Sequence, residues 1–196
     1  MTDEDLMRQF GEGNVSALET LTYRYHATIY TYIHRMMQSR MLAEDLTQEC
    51  FVRVMISARQ GRYPQSFRPW LYKIATNLCR DYWRKSSVRE KTLPDLERNA
   101  AVASDNVSQI YEKQEERALI LQALNQLPAI RKEVIILRFY QDLRLDEISD
   151  VLDIPLSTVK SRLYDAIRML NSLLSSEGIN EETGRWATTR REGRGI

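Results

Sequence analysis

The sequence predicts an all-α protein in which a flexible linker joins two small helical domains, the second containing a helix-turn-helix. Apolar side chains recur at spacings of three and four along most of the 196 residues. That periodicity stops over Ser86–Tyr111, where Pro94, small residues and mixed charges predict a linker. Leu145–Leu174 combines a short helix, a tight corner and a longer helix. We therefore expect domains at 1–88 and 112–176, a linker at 89–111 and a disordered tail at 177–196.

The second, long helix is expected to supply core rather than a binding site. Met1–Gly13 predicts a short acidic helix that ends at the Gly11-Glu12-Gly13 break, and Asn14 is placed to cap the next helix. The apolar stripe of that long helix comprises Val15, Leu18, Leu21, Tyr25, Ile29, Ile33, Met36 and Met37. A stripe of this kind is more typical of a packed core than of a cofactor pocket.

A third helix, predicted over Leu42–Ser57, has an acidic outer face. Its inward residues are Leu42, Leu46, Cys50 and Val54, with Phe51 and Met55 beside them, and its outer residues are Glu44, Asp45, Gln48 and Glu49. An acidic face does not suit DNA phosphates, so it indicates either a basic protein partner or simple solvation.

The organising stretch of the first domain is Phe67–Lys85, which follows the loop Gly61–Ser66. Between Arg62 and Lys91 there are eight cationic and two acidic side chains, whereas the whole chain has a net charge of +1. One face of this helix is apolar and the other is cationic, beside aromatic rings. Such a surface fits a nucleic-acid strand, through phosphate contacts and stacking on unpaired bases. An amphipathic helix with a solvated basic face is the alternative.

The second domain is expected to begin with two helices separated by Pro128. Leu119, Leu121, Leu124 and Leu127 form the apolar set of the first, and Ile130, Val134, Leu137 and Phe139 that of the second. Arg131, Lys132 and Arg138 are expected on the outside of the second helix.

The helix-turn-helix prediction depends on the corner between two further helices. Asp153 tolerates a left-handed conformation, and Pro155 suits the first turn of a following helix. The buried stripe of that helix comprises Val159, Leu163, Ile167, Leu170 and Leu174, and its opposite side presents Ser157, Ser161, Tyr164 and Arg168. Short polar side chains facing base edges and cations facing phosphates are typical of a recognition helix, although a plain three-helix bundle is the alternative.

Several function classes are disfavoured by the sequence. His26 and His34 lack Cys or acidic partners at ligand spacing, so no metal is expected. No Gly-rich phosphate loop or Gly-x-Ser-x-Gly occurs, so neither catalytic residues nor a cofactor are expected. Cys50 and Cys79 at apolar helix positions predict buried thiols in a reducing compartment. An acidic N-terminus and the lack of a long apolar run predict a cytoplasmic protein.

In three blocks the chain resembles the extracytoplasmic-function sigma factors of bacteria. The blocks are DLTQECFVRV (Asp45–Val54), FRPWLYKIATNLCRDYWRK (Phe67–Lys85) and LPAIRKEVIILRFYQDLRLDEISDVLDIPLSTVKSRL (Leu127–Leu163). The resemblance implies an alternative, non-catalytic sigma factor that joins core RNA polymerase, recognises promoter −35 and −10 elements and promotes transcription initiation. It also implies promoter DNA as a partner, both duplex and melted non-template strand, together with an anti-sigma factor.

The resemblance also implies a role for particular residues. Core polymerase binding is expected at Asp45, Gln48, Glu49 and Phe51. Binding of the −10 element is expected at Arg62, Tyr63, Ser66, Phe67, Asn77, Arg80, Asp81 and Arg84. Binding of the −35 element is expected at Ser157, Thr158, Lys160, Ser161, Arg162, Tyr164 and Arg168.

The chain departs from the family pattern at the end that reads DNA. Asp165 and Ile167 stand where many relatives carry basic residues, which leaves the promoter sequence open. Two other classes of protein are alternatives. An operator-binding helix-turn-helix regulator would leave the first domain without a role, and an enzyme acting on nucleic acid would need a convergent acid, base or metal cluster.

Overall fold

Eight α-helices and one π-helical turn make up the described part of the protein. The computed structural model describes 1–90 and 111–176, with side chains over 1–86 and 118–175. The helices are α1 (Asp3–Gly11), α2 (Val15–Met37), α3 (Arg40–Arg59), α4 (Phe67–Glu90), α5 (Tyr111–Gln126), α6 (Ala129–Ile135), α7 (Leu145–Leu152) and α8 (Leu156–Ser176), with the π-helical turn at Ile136–Tyr140. No strand occurs within those ranges, so the all-α prediction is confirmed.

The chain divides into two compact units. Unit 1 combines Met1–Ala103 with Ile136–Val159, and unit 2 combines Ser104–Ile135 with Lys160–Ile196. Most of the predicted linker at 89–111 and the whole predicted tail at 177–196 lie outside the described residues. The two ends of the predicted linker are helical, because α4 ends at Glu90 and α5 begins at Tyr111.

Side-chain caps define the starts of two helices in unit 1. At α1, the Thr2 hydroxyl accepts from the Asp5 amide at 3.1 Å, and the Asp5 carboxylate accepts from the Thr2 amide at 3.2 Å. This reciprocal pair satisfies amides that have no partner within the helix. At α3, Ser39 is the N-cap and its hydroxyl accepts from the Leu42 amide at 3.4 Å. Asn14 occupies the N-cap of α2 as predicted, but its side chain makes no capping hydrogen bond there.

Aromatic rings and one buried hydroxyl pair organise the core of unit 1. Tyr32 and Tyr72 pack edge to face, with ring centroids 5.5 Å apart, and the Tyr32 hydroxyl pairs with that of Thr76 at 2.7 Å. Both polar groups are buried, and each satisfies the other. The thiols of Cys50 and Cys79 are both buried, as predicted. Burial raises the pKa of the Cys50 thiol to about 12, which keeps it neutral.

The core of unit 2 differs from the prediction at α6. Its buried apolar residues are Ala123, Leu124, Leu127, Val134, Ile135, Leu163, Ala166 and Leu170. Ile130, expected inside, is 51% exposed, and Lys132, expected outside, is only 5% exposed. Both expectations were wrong because α6 is not buried along one stripe alone: its consecutive residues Lys132, Glu133, Val134 and Ile135 are all buried, whereas Ile130, in its first turn, lies at the surface. Lys132 Nζ donates to Asn125 Oδ1 at 2.9 Å, and burial lowers the pKa of Lys132 to about 8.

Candidate polymerase and promoter interfaces

The acidic face lies on α3 and is exposed. Asp45, Gln48 and Glu49 all lie at the surface, and Glu49 pairs with Arg53 one turn later at 2.9 Å. Phe51, predicted with this set, is only 7% exposed, and its ring stacks on that of His26 at 6.1 Å. Phe51 therefore supports the face from beneath and contributes little surface to it.

Two exposed apolar side chains, which the sequence analysis missed, extend this face. Val52 is 39% exposed and Ile56 is 50% exposed. Their spacing from Asp45 and Glu49 follows the helical repeat, so the four residues share one side of α3. The same spacing in the sequence could have predicted that both apolar side chains point outward. The face combines negative charge with apolar surface, a combination suited to a partner helix carrying basic residues.

The loop before α4 presents three of the residues predicted for the −10 element. Arg62, Tyr63 and Ser66 are exposed. Phe67, predicted with them, is fully buried in an aromatic row, with its ring 5.4 Å from that of Tyr25 and 5.8 Å from that of Trp70. Phe67 thus anchors the start of α4 from the core.

The polar face of α4 carries the remaining −10 set. Asn77 and Arg84 are exposed, and Arg84 pairs with Asp81 at 2.9 Å. Half-buried Arg80 donates to the carbonyl oxygen of Leu152 at 3.3 Å. Its guanidinium has further donors, so a nucleic-acid contact at Arg80 would share or replace this bond.

Other contacts within unit 1 surround the same face of α4. The Lys73 ammonium lies 3.9 Å from the Asp153 carboxylate, and Arg68 donates to the carbonyl of Gln141. The Tyr72 hydroxyl donates to the Gln141 side chain at 2.6 Å. Beside these contacts, a cavity of about 690 Å³ is lined by Pro64, Gln65, Ser66, Pro69, Trp70, Lys73, Ser149, Asp150, Asp153, Ile154 and Pro155. It brings an aromatic ring and a cation to the surface next to the loop.

The corner between α7 and α8 has the conformation that the sequence predicted. Asp153 adopts φ 56° and ψ 48°, in the left-handed region. The Ser149 hydroxyl donates to the Ile154 carbonyl at 2.6 Å, and the Ile154 amide donates to the Ser149 carbonyl at 3.2 Å. These bonds fix the corner and set where α8 begins.

Helix α8 exposes most of the residues predicted for the −35 element. Ser157, Lys160, Ser161, Tyr164 and Arg168 are exposed, and Thr158 is half-buried. In unit 2, Arg162 lies 3.7 Å from the carboxylate of Glu133, a residue only 1% exposed. Arg162 is therefore engaged by a buried acid, which separates it from the other predicted contacts.

The described part of the chain contains neither a metal-binding cluster nor a membrane-spanning helix. No group of three His, Cys, Asp or Glu side chains there could hold a metal ion. Among the same residues, no helix is long and apolar enough to cross a membrane.

Comparison with known proteins identifies both halves of the chain. Residues 21–89 match the Sigma-70 region 2 family, and residues 117–170 match the Sigma-70 region 4 family. The chain is 30% identical over 172 residues to the ECF RNA polymerase sigma factor SigW of Bacillus subtilis, covering 81% of this chain and 89% of SigW. It is 33% identical over 154 residues to SigE of Mycolicibacterium smegmatis, covering 78% of this chain and 60% of SigE.

Solved structures share the fold at lower sequence identity. CnrH, in complex with the cytosolic domain of CnrY, has a TM-score of 0.68 and 22% identity and covers 89% of this chain and 98% of CnrH. RpoE, in complex with the anti-sigma factor NepR from Bartonella quintana, has a TM-score of 0.70 and 19% identity and covers 82% of this chain and 98% of RpoE. The chain belongs to the extracytoplasmic-function (ECF) family of RNA polymerase sigma factors, which act with core RNA polymerase on promoter DNA to initiate transcription.

Proposed function

We propose that the three surfaces described above divide the work of initiation among them. The acidic face of α3 docks on core RNA polymerase, the loop and polar face of α4 hold the melted −10 strand, and α8 reads the duplex −35 element. The first two tasks belong to the domain at 1–88 and the third to the domain at 112–176. The observation that carries this proposal is the presence, in one chain, of an acidic α3 face and a cationic α4 face beside a helix-turn-helix.

Docking uses Asp45, Gln48 and Glu49 as polar contacts and Val52 and Ile56 as apolar ones. The carboxylates attract a basic partner helix over several ångströms, and the apolar pair removes water from the contact once it forms. Phe51 holds the backbone of this face in place through its packing against His26.

Capture of the −10 element uses charge and hydrogen bonding on α4. Arg62, Arg80 and Arg84 neutralise phosphates of the non-template strand, while Tyr63, Ser66, Asn77 and Asp81 offer a ring or polar groups to unpaired bases. An extruded base is held only after the strands separate. Contacts of this kind therefore favour the open strand over the duplex and offset the cost of unpairing.

Recognition of the −35 element uses the exposed side of α8. Lys160 and Arg168 contact phosphates, and Ser157, Thr158, Ser161 and Tyr164 lie toward base edges in the major groove. Arg162 acts mainly as a support, because it already faces the buried Glu133 carboxylate.

An anti-sigma factor is the regulatory partner we infer for this chain. Two proteins that share the fold described here were solved with a partner: RpoE with the anti-sigma factor NepR, and CnrH with the cytosolic domain of CnrY. We further infer that the protein performs no catalysis of its own, requires no cofactor and acts in the cytoplasm, where its polymerase is found.

Run-off transcription tests the proposed function. Purified core polymerase is assayed with and without the protein on a library of promoter fragments. Initiation that depends on the protein supports the proposal and yields the promoter sequence. A well-folded sample that fails to bind core polymerase would contradict it and favour polymerase-independent operator binding.

A further inference from the structure

Helix α1 lies outside the residues that match Sigma-70 region 2, and the function proposed above assigns it no role. The match begins at residue 21, whereas α1 spans Asp3–Gly11. Its buried side chains are Leu6, Met7 and Phe10. In the structure it packs against α2, α3 and α4, so it reaches the segment that leads into the proposed −10 site.

The carboxylate of Glu4 caps α4 from a position far away in the sequence. The Phe67 amide donates to Glu4 Oε1 at 2.8 Å, across 63 residues of chain. Phe67 is the first residue of α4, and its amide has no acceptor within the helix. A carboxylate at this end also interacts favourably with the helix dipole. Glu4 therefore fixes where α4 begins and how the preceding loop enters it.

A neighbouring side chain of α1 secures the aromatic row beneath that cap. The Tyr25 hydroxyl donates to Asp3, and Arg24 pairs with the same carboxylate at 2.7 Å. Burial, reinforced by the hydrogen bond to Asp3, raises the pKa of Tyr25 and keeps its hydroxyl protonated as a donor. Because the Tyr25 ring packs against Phe67, Asp3 holds the inner side of the α4 start.

The last residue of α1 makes close contact with the loop itself. A Cβ added to Gly11 would overlap the Tyr63 hydroxyl and lie 2.9 Å from the Ala58 carbonyl oxygen. Any larger residue would therefore move Tyr63 or the end of α3. Tyr63 is 39% exposed and belongs to the proposed −10 set.

We propose that α1 is a positioning element for promoter opening, in which Glu4 and Gly11 hold the two ends of the segment Tyr63–Phe67. Neither residue contacts DNA. Glu4 sets the start of α4 and Gly11 seats Tyr63, so that the loop is ordered before an unpaired base arrives. A pre-ordered loop loses less conformational freedom on binding, which strengthens capture of the melted strand. This inference rests on the proposed role of the loop and α4 at the −10 element.

The test compares Glu4→Ala and Glu4→Gln with Glu12→Ala in holoenzyme assembled from the full chain. Glu12 is an exposed acid at the opposite end of α1, so its replacement makes the same charge change without touching α4. The promoter is the one selected by run-off transcription. Opening is followed by permanganate reactivity of unpaired thymines, and strand capture by the affinity for a non-template −10 oligonucleotide and for one with a substituted base.

We expect Glu4→Ala to reduce open complex formation about fivefold, the usual effect of losing a helix cap. Discrimination between the two oligonucleotides should fall. The affinity for core polymerase should stay within about twofold of the wild type, which is the range of an ordinary surface substitution. Glu4→Gln should restore much of the loss because its amide oxygen can still accept from Phe67. Gly11→Ala should likewise reduce discrimination, by displacing Tyr63, and Glu12→Ala should match the wild type.

Failure of this inference differs from failure of the proposed function. A wild-type protein that opens its promoter, together with a Glu4→Ala variant that opens it equally well, would overturn the role of α1 alone. If Glu4→Ala lowered the affinity for the cognate and the substituted oligonucleotide equally, Glu4 would only maintain the fold. That result would also overturn the proposed role of α1. A wild-type protein that initiates no transcription would overturn the proposed function and this inference together.

Discussion

Two arginines of α8, Arg162 and Arg168, have different surroundings. Those surroundings suit Arg162 to stabilising the fold and Arg168 to binding DNA. Arg168 is exposed on α8, whereas Arg162 is half-buried and lies 3.7 Å from Glu133, which is only 1% exposed. A buried carboxylate is costly to leave without a nearby cation, because its water has been removed. Both arginines entered the predicted −35 set through the family resemblance, although the helical projection already puts Arg162 nearer the buried side; neither shows the carboxylate that another helix brings beside it.

We expect Arg162→Ala to lower the free energy of unfolding by about 1–3 kcal/mol, because it removes a cation beside a buried acid. Arg168→Ala is the matched control on the same helix and should change stability by less than about 0.5 kcal/mol. Urea denaturation of the full-length variants measures both effects. Binding of duplex −35 DNA should show the reverse order, with the larger specific loss for Arg168→Ala. Equal stability of the two variants would contradict the supporting role of Arg162.

Lys132 gives unit 2 a pH-dependent stability, because its ammonium is buried. Burial lowers its pKa from 10.5 to about 8 in the folded protein. Below about pH 8 the ammonium is charged in both states, so the cost of burying it is present in full. Between about pH 8 and 10.5 the unfolded chain binds the proton more strongly than the folded one, so the free energy of unfolding rises with pH.

We therefore expect the stability difference between wild type and Lys132→Met to change in favour of the wild type by ~3 kcal/mol over that range. Taking the difference cancels the titration of Cys50 and the buried tyrosines, which both proteins share. Urea denaturation at a series of pH values measures it. The neighbouring Arg131→Met is the control, because arginine stays charged throughout. A difference that does not vary with pH would show that the Lys132 ammonium is not desolvated.

At the scale of elements, local chemistry was predictable and long-range contacts were not. The α7–α8 corner followed from the tolerance of Asp153 for left-handed backbone, a property of one residue and its neighbours. The cap of α4 comes from Glu4, which lies 63 residues before Phe67, so no local sequence pattern predicts it. Likewise, helical periodicity assigns α6 a single buried stripe, whereas tertiary packing buries four consecutive residues, 132–135, and Lys132 with them.

Helical periodicity correctly predicts the exposure of the polar site residues. Exposed polar residues such as Asp45, Asn77 and Lys160 follow from helical periodicity alone, and the structure exposes them. Phe51 and Phe67 were included in the site because of a family resemblance. Their burial shows that a motif can carry residues that support a surface as well as residues that form it.

The corner residue offers a test at this scale. We expect Asp153→Val to lower the free energy of unfolding by about 1–2 kcal/mol, because a β-branched residue is strained at φ 56°. Asp153→Gly should match or exceed the wild type, since glycine adopts this backbone freely. Asp150→Val, at an exposed position inside α7, is the control and should cost only about 0.5 kcal/mol. Thermal or urea unfolding ranks the three variants, and equal losses for both valine variants would rule out backbone strain at the corner.

At the scale of the whole molecule, the small net charge conceals separated charges of opposite sign. The chain has 28 basic and 27 acidic side chains, yet Glu44, Asp45 and Glu49 share one face of α3, whereas eight bases and only two acids lie between Arg62 and Lys91. A protein that binds both a basic partner and DNA needs this separation, because either partner would be repelled by the surface meant for the other.

We expect Asp45→Ala and Lys160→Ala to fail at different steps of initiation. Asp45→Ala should weaken binding to core polymerase severalfold, and preassembled holoenzyme should still bind duplex −35 DNA. Lys160→Ala should leave core binding unchanged, weaken duplex binding and lower the slope of log affinity against log salt by about 0.9, the value for one lost phosphate contact. Glu19→Ala, an exposed acid on α2, is the control for the charge change on the first surface.

The double variant decides whether the two surfaces act independently. Changes at sites that share no partner add in free energy. In run-off transcription under subsaturating conditions, Asp45→Ala with Lys160→Ala should therefore lose the sum of the two single effects. Core affinity in the double variant should equal that of Asp45→Ala, and its salt slope on DNA should equal that of Lys160→Ala. If both single variants instead lost core binding, or both lost only DNA binding, the proposed assignment of polymerase docking to α3 and −35 recognition to α8 would be wrong. If instead each single variant loses a different binding step and the two losses add, the surface for polymerase and the surface for promoter DNA act independently.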